Sequence, residues 1–151
     1  MENGSFPEDA FRAGSNPKKE KVLVARAAHE NGTQPCQFHE GCNGAQMPYG
    51  GEGLIKSSYD ILANSNALHW KSITVGQLPA DSFKTGCEAN GDALYTVKCK
   101  LSEKVSIGKY NGNDKAYFVV DGQEKEITSG EMKILCFRES DLEKSVSIKD
   151  F

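Results

Sequence analysis

The chain is one unit written twice. Gly4-Ser5-Phe6-Pro7-Glu8-Asp9-Ala10-Phe11-Arg12-Ala13-Gly14 aligns with Gly76-Gln77-Leu78-Pro79-Ala80-Asp81-Ser82-Phe83-Lys84-Thr85-Gly86, so Gly, Pro, Asp, Phe and Gly recur at one offset (79 − 7 = 72). The register persists: Val22-Leu23-Val24-Ala25-Arg26 falls on Leu94-Tyr95-Thr96-Val97-Lys98, and Gln37-Phe38 on Lys109-Tyr110. It then slips by one in each direction, with Ala45 meeting Ala116 and Ile61-Leu62 meeting Ile134-Leu135. A duplication constrains the fold more than any composition does, because each unit must bury its apolar face against something. A unit of ~70 residues buries little surface alone. The expectation is therefore a single domain over residues 1–151, with repeat one at about 3–62, repeat two at about 70–136 and a tail at 137–151.

The segments inside each unit are short and bounded by turn residues. Val22–Arg26, Leu94–Lys98 and Tyr117–Val120 are rich in β-branched and aromatic residues, the composition of half-buried strands. Glu30-Asn31-Gly32, Ala89-Asn90-Gly91-Asp92, Asn111-Gly112-Asn113-Asp114 and Asp121-Gly122 tolerate the positive φ of tight hairpins. Gly53–Leu62 and Ser140–Ser145 are the only weak helix candidates, and the spacing of Ser140 and Glu143 matches a capping box. The reading is all-β: two tandem repeats forming one pseudo-twofold-symmetric body of short antiparallel sheets. Residues 63–70 join the halves, and Ser72-Ile73-Thr74-Val75 leads into repeat two as a strand. Repeat one lacks such a lead-in. The alternating Ser145-Val146-Ser147-Ile148-Lys149-Asp150-Phe151 either supplies it, as in a circular permutation, or is a frayed terminus.

Several function classes drop out. The net charge is −3 with the two signs mixed along the chain, so the basic footprint of a nucleic-acid binder is missing. No stretch approaches the ~20 apolar residues of a membrane span. The polar start Met1-Glu2-Asn3-Gly4 is no export signal. Five cysteines, Cys36, Cys42, Cys87, Cys99 and Cys136, without such a signal read as reduced thiols, and the protein as cytoplasmic. In that compartment the sequons at Asn3 and Asn31 carry no meaning. Cys36, His39 and Cys42 are three clustered ligand types, but zinc takes four, and repeat two has Gly108, Asn111 and Asp114 in their places. No metal and no cofactor is expected. No phosphate-cradling glycine motif, nucleophile elbow or His-Glu-x-x-His occurs. His29, His39 and His69 lie in or near loops of the first half, and nothing marks a Cys–His pair. No catalytic residue and no enzymatic activity is expected.

The ordered set Trp70, Gly76, Pro79, Ser82, Phe83, Gly86, the strand Leu94–Lys98, Ile107-Gly108-Lys109-Tyr110, Asp121-Gly122-Gln123-Glu124 and Ile134-Leu135 recurs in repeat one. There it reads Pro7, Ala10, Phe11, Gly14, Ala25-Arg26, Pro35-Cys36-Gln37, Gly44-Ala45, Tyr49-Gly50-Gly51-Glu52 and Tyr59-Asp60-Ile61-Leu62. This pattern resembles the DM-nine repeat family over roughly residues 3–136. Repeat two lacks the closing Tyr, and the family's Gly-Lys-Glu is altered to Gly51-Glu52-Gly53 and Gly122-Gln123-Glu124. The resemblance implies an all-β fold with repeats sharing sheets about a pseudo-twofold axis. It also implies a mannose-binding, lectin-like protein of recognition or defence, with sugar held near where the repeats meet. The implied ligands are an acidic residue two positions after the repeat glycine and the lysine of a Pro-Gly-Lys-like motif. Those positions are Glu88 and Lys109 in repeat two, and Asn16 and Gln37 in repeat one.

The chemistry of such a pair is simple. A carboxylate accepts from two sugar hydroxyls while an ammonium donates to their oxygens, and charge-assisted bonds are the stronger kind. Asn16 and Gln37 pair with hydroxyls more weakly. One shallow polar site of this type holds a sugar at ~0.1–1 mM, or roughly 4–5 kcal/mol. Useful binding then needs two sites or a homodimer. The competing reading of Glu88 and Lys109 is an exposed ion pair worth ~0–1 kcal/mol, in a protein-interaction or scaffold module with a vestigial site. Tyr49, Tyr110 and Tyr117 are sugar-stacking or core aromatics, and Trp70 is a core anchor. Arg26 and Lys98, which close equivalent strands, either orient the acidic group or cap a sheet edge.

Overall fold

Hairpin follows hairpin in the computed structural model, which describes Glu2 and residues 4–138. Repeat one forms β1 (Arg12–Ser15), β2 (Lys21–His29), β3 (Gly32–His39), β4 (Ala45–Tyr49), β5 (Glu52–Lys56) and β6 (Asp60–Ile61). Next comes β7 (Leu68–Thr74), then the counterparts in repeat two: β8 (Lys84–Cys87), β9 (Ala93–Leu101), β10 (Lys104–Tyr110), β11 (Ala116–Val120), β12 (Gln123–Ile127) and β13 (Glu131–Phe137). No helix forms among the described residues, so the fold is all-β. The weak helix candidate Gly53–Leu62 is instead β5, a bend and β6. Within repeat one β5 pairs with β4 and β6 with β2, and Gly53 N also donates across the repeats to Gly122 O at 3.0 Å. Ser140–Ser145 and the strand-like tail lie outside the described residues. Among the described residues no helix is long and apolar enough to cross a membrane.

Two-residue turns with both φ values positive link β2–β3 at Glu30-Asn31, β4–β5 at Gly50-Gly51, β9–β10 at Ser102-Glu103 and β11–β12 at Asp121-Gly122. Such turns match the right-handed twist of the flanking strands. Ser102-Glu103 carries no Asn or Gly signal, yet it stands 72 positions after Glu30-Asn31 (102 − 30 = 72).

The pseudo-twofold relation is visible in the register. Ala25 opposes Cys36 as Val97 opposes Gly108. The bulge between Arg12 and Gly14 recurs between Lys84 and Gly86. The axis passes where β5 meets β12: Glu52 opposes Gln123. On either side, Gly53 N donates to Gly122 O and Glu124 N to Gly51 O. β8 pairs on both sides, with β9 and with β3 through Thr33 and Cys87. This joins β3, β4, β5, β12, β11, β10, β9 and β8 into a closed antiparallel barrel. The lead-in β7 runs along β13 from Leu68–Phe137 to Thr74–Glu131.

Three apolar clusters hold the body together. Leu23, Ala25, Phe38, Met47 and Ile61 pack inside repeat one, and Val97, Tyr110, Phe118 and Ile134 inside repeat two. Phe11, Leu62, Phe83 and Leu135 fill the seam from both sides. Each fully buried side chain of this size is worth about 1.5–3 kcal/mol. Tyr110 is fully buried, its hydroxyl donating to Gln77 O at 2.7 Å and accepting from Gly76 N. Trp70 packs against the seam cluster beside Phe11.

Arg26 and Lys98 each reach a backbone carbonyl of the other repeat. Arg26 Nη1 donates to Thr85 O at 3.3 Å, and Lys98 Nζ to Ala13 O at 2.9 Å. Ala13 and Thr85 are equivalent positions, so each basic residue fastens its own β-strand to the opposite repeat. Lys98 also lies 4.4 Å from the Trp70 ring, and Arg26 pairs with Asp60 at 3.2 Å.

Candidate functional site

The β2–β3 hairpin begins the site. A Cβ on Gly32 would stand 2.7 Å from Cys87 O, so only glycine lets this hairpin butt against the end of β8. That contact sets Gln34 of repeat one beside Glu88 of repeat two. Glu88 opens a tight turn in which its N donates to Asp92 O and its carbonyl accepts from Gly91 N, both at 2.9 Å. Gly91 supplies the left-handed residue this turn needs, at φ 95.

Lys109 sits on β10 opposite Thr96 and Tyr117, and is 6% exposed. A buried ammonium needs partners. Lys109 Nζ donates to Gln34 Oε1 at 2.7 Å. Gln34 Nε2 in turn donates to Glu88 Oε1. The ammonium also lies 4.9 Å from the Tyr49 ring and 5.4 Å from the Tyr117 ring, within cation–π range. Burial pushes the pKa of Lys109 below that of a free lysine, and the nearby Glu88 and Glu124 carboxylates pull it part of the way back.

Glu88 and Lys109 therefore share a site without a direct ion pair; the amide of Gln34 stands between them. The exposed-pair reading does not fit a lysine this buried. Sequence reasoning missed Gln34. The available signal was a polar residue on the inward face of β3, in line with the core residues Cys36 and Phe38.

Glu88 and Lys109 line a cleft of about 720 Å³. Tyr49 and Gly50 contribute from repeat one; Tyr95, Tyr117 and Glu124 contribute from repeat two. Leu78, 42% exposed, stands at its edge. Tyr49 and Tyr117 line the cleft beside the Lys109 ammonium, whereas Tyr110 belongs to the core. Tyr49 is held by donating its hydroxyl to Glu30 at 2.9 Å. Glu124 accepts from Gly51 N at 3.1 Å.

The symmetry-related position holds a second cleft of about 400 Å³, lined by Asn16 and Gln37 among others. Its chemistry has changed. Asn16 Oδ1 accepts from Lys18 N and Glu20 N, and Asn16 Nδ2 donates to Glu20. Gln37 Oε1 accepts from Ile107 N at 2.7 Å, and Nε2 donates to Gln46. Both amides are engaged by the protein. Ser106 stands at the position equivalent to Gln34, and Gln46 and Val120 replace the two tyrosines. The four residues chosen from sequence thus fall into two separate clefts, and Glu88 and Lys109 are the pair joined to each other by a polar chain among the described residues.

Cys36, His39 and Cys42 do not converge. The Cys36 thiol donates to Gln34 O, Cys42 Sγ to Gly44 O, and His39 Nδ1 contacts Glu40 O. Among the described residues no three His, Cys, Asp or Glu side chains gather as metal ligands. All five cysteines are free thiols. Burial raises Cys36 to about 12 and Cys99 and Cys136 to about 11, which leaves these three as thiols, not thiolates, at neutral pH.

No curated protein matches the chain. The family model of the DM9 repeat matches residues 1–53 and 16–128. Those spans contain the paired turns, the axis through β5 and β12, and both clefts. The chain belongs to the DM9 repeat family.

Proposed function

We propose that the cleft holding Glu88 and Lys109 binds a mannose-type glycan, and that the protein is a non-enzymatic, metal-independent recognition module of the cytoplasm. The observation that carries this reading is the Glu88–Gln34–Lys109 chain at the wall of a cleft flanked by two tyrosine rings. It offers the free oxygen of an acceptor-only carboxylate and the remaining N–H donors of an ammonium to adjacent hydroxyls, with the buried Gln34 amide holding the two in place. The rings of Tyr49 and Tyr117 offer an apolar face to the C–H side of a pyranose. One such site per chain is weak, so the reading includes pairing of chains to raise avidity.

A second reading, a protein-interaction module with a vestigial sugar site, is favoured by the engaged amides of the repeat-one cleft. Retention on mannose-agarose discriminates between them. The wild type should be retained, and Glu88→Ala and Lys109→Ala should elute unretained while keeping a cooperative thermal transition. Retention that survives both substitutions removes this site; failure of the wild type to bind favours the interaction module.

A further inference from the structure

The charges around the cleft say which sugars it accepts, given the glycan reading above. Among the described residues Glu88, Asp92 and Glu124 line it, against Lys109 as the one lining cation. Three carboxylates and one ammonium leave a net −2 in a single cleft of a chain whose whole charge is −3. Glu30 adds a further carboxylate at the Tyr49 hydroxyl. The symmetry-related cleft shows no such bias: Lys18 and Lys104 offset Glu20 and Asp121 there.

The two signs also differ in access. Lys109 is 6% exposed and bonded to Gln34, so its remaining donors are fixed at the cleft wall and do not swing out toward an incoming anion. Glu88 and Glu124 are half-buried and Asp92 is exposed. Glu88 and Glu124 each give Oε1 to the protein, and neither Oε2 has a partner among the described residues. A ligand entering the cleft meets carboxylate oxygens first.

We propose that this cleft selects by charge: it takes neutral hexoses and, more tightly, hexoses bearing an ammonium group, and it rejects phosphorylated, sulfated and uronic-acid sugars. Like charges brought together in a partly desolvated cleft repel strongly, and such repulsion is a common source of discrimination between partners. An amino group on the sugar meets acceptors already in place.

The test is calorimetric titration of the full chain with methyl α-mannoside, 2-amino-2-deoxymannose and mannose 6-phosphate at low salt. The amino sugar should bind several-fold more tightly than the neutral one, and the phosphate about tenfold or more weakly. In 1 M salt, where the Debye length is about 3 Å, the spread should collapse. Glu124→Gln should narrow it at low salt. Equal or tighter binding of the phosphate than of the neutral sugar overturns the charge selection and leaves the glycan reading standing. Binding of none of the three overturns both.

Discussion

Replacing Gln34 by leucine tests the central contact. The side chains are close in size, and Gln34 is 1% exposed, so packing is largely kept. What changes is hydrogen bonding. Lys109 Nζ loses its 2.7 Å acceptor, and Glu88 loses a donor. A hydrogen bond to a charged group contributes about 1.5–3 kcal/mol, and leaving a buried donor unsatisfied costs more than the bond was worth. Glu88 is half-buried and recovers water, so its share is small. The sum is about 2–4 kcal/mol, nearly all at Lys109. For a chain of this length that lowers Tm by roughly 4–16 °C, at about 2–4 °C per kcal/mol. Urea unfolding of Gln34→Leu, Lys109→Met and the double variant isolates the contact. The double variant should be more stable than the sum of the singles implies, by about 1.5 kcal/mol or more, because it buries no unpaired ammonium. A cost below about 1 kcal/mol for Gln34→Leu, or strict additivity, would refute the idea that the amide holds the lysine in place.

Three further outcomes are expected. Gly86→Ala drives a Cβ to within 2.1 Å of Thr33 O, whereas Gly14→Ala, its equivalent, meets only the Val105 side chain at 3.1 Å; urea midpoints should show the first costing about 1–3 kcal/mol more. Because burial lowers the Lys109 pKa from 10.5, its charge is lost at a lower pH than in a free lysine. Sugar affinity, followed by titration, should therefore fall as pH rises toward 10.5 and hold in Lys109→Arg, while the lysine's own contribution to stability rises over that range as the unfolded chain retains the proton more tightly. Asn-Gly in place of Ser102-Glu103 should raise the thermal midpoint by the equivalent of about 0.5–1 kcal/mol, since both residues sit at positive φ.

The duplication made much of the architecture legible. Offset alone equates β2 with β9 and β3 with β10, and it points to the Ser102-Glu103 turn that composition hides. Gly53–Leu62 was misread because it holds two short strands, β5 on β4 and β6 on β2, and its bond from Gly53 to Gly122 reaches the other repeat, so it leaves no local period. The same reason hid the roles of Arg26 and Lys98: their acceptors are backbone carbonyls of the opposite unit, and any residue supplies a carbonyl. Glu88 and Lys109 were found by position. Gln34, 75 residues from Lys109, was not, because its repeat-two counterpart is Ser106, which carries no amide to compare.

The strand ring has a consequence for how the protein is put together. Repeat one supplies β3, β4 and β5 and repeat two supplies β8 to β12, so neither half owns a closed barrel. Nicking the backbone between Ala63 and Ala67 would sever no ladder, and the two pieces would stay clasped. A lone half has the opposite problem: its only way to finish the circle is to find another half.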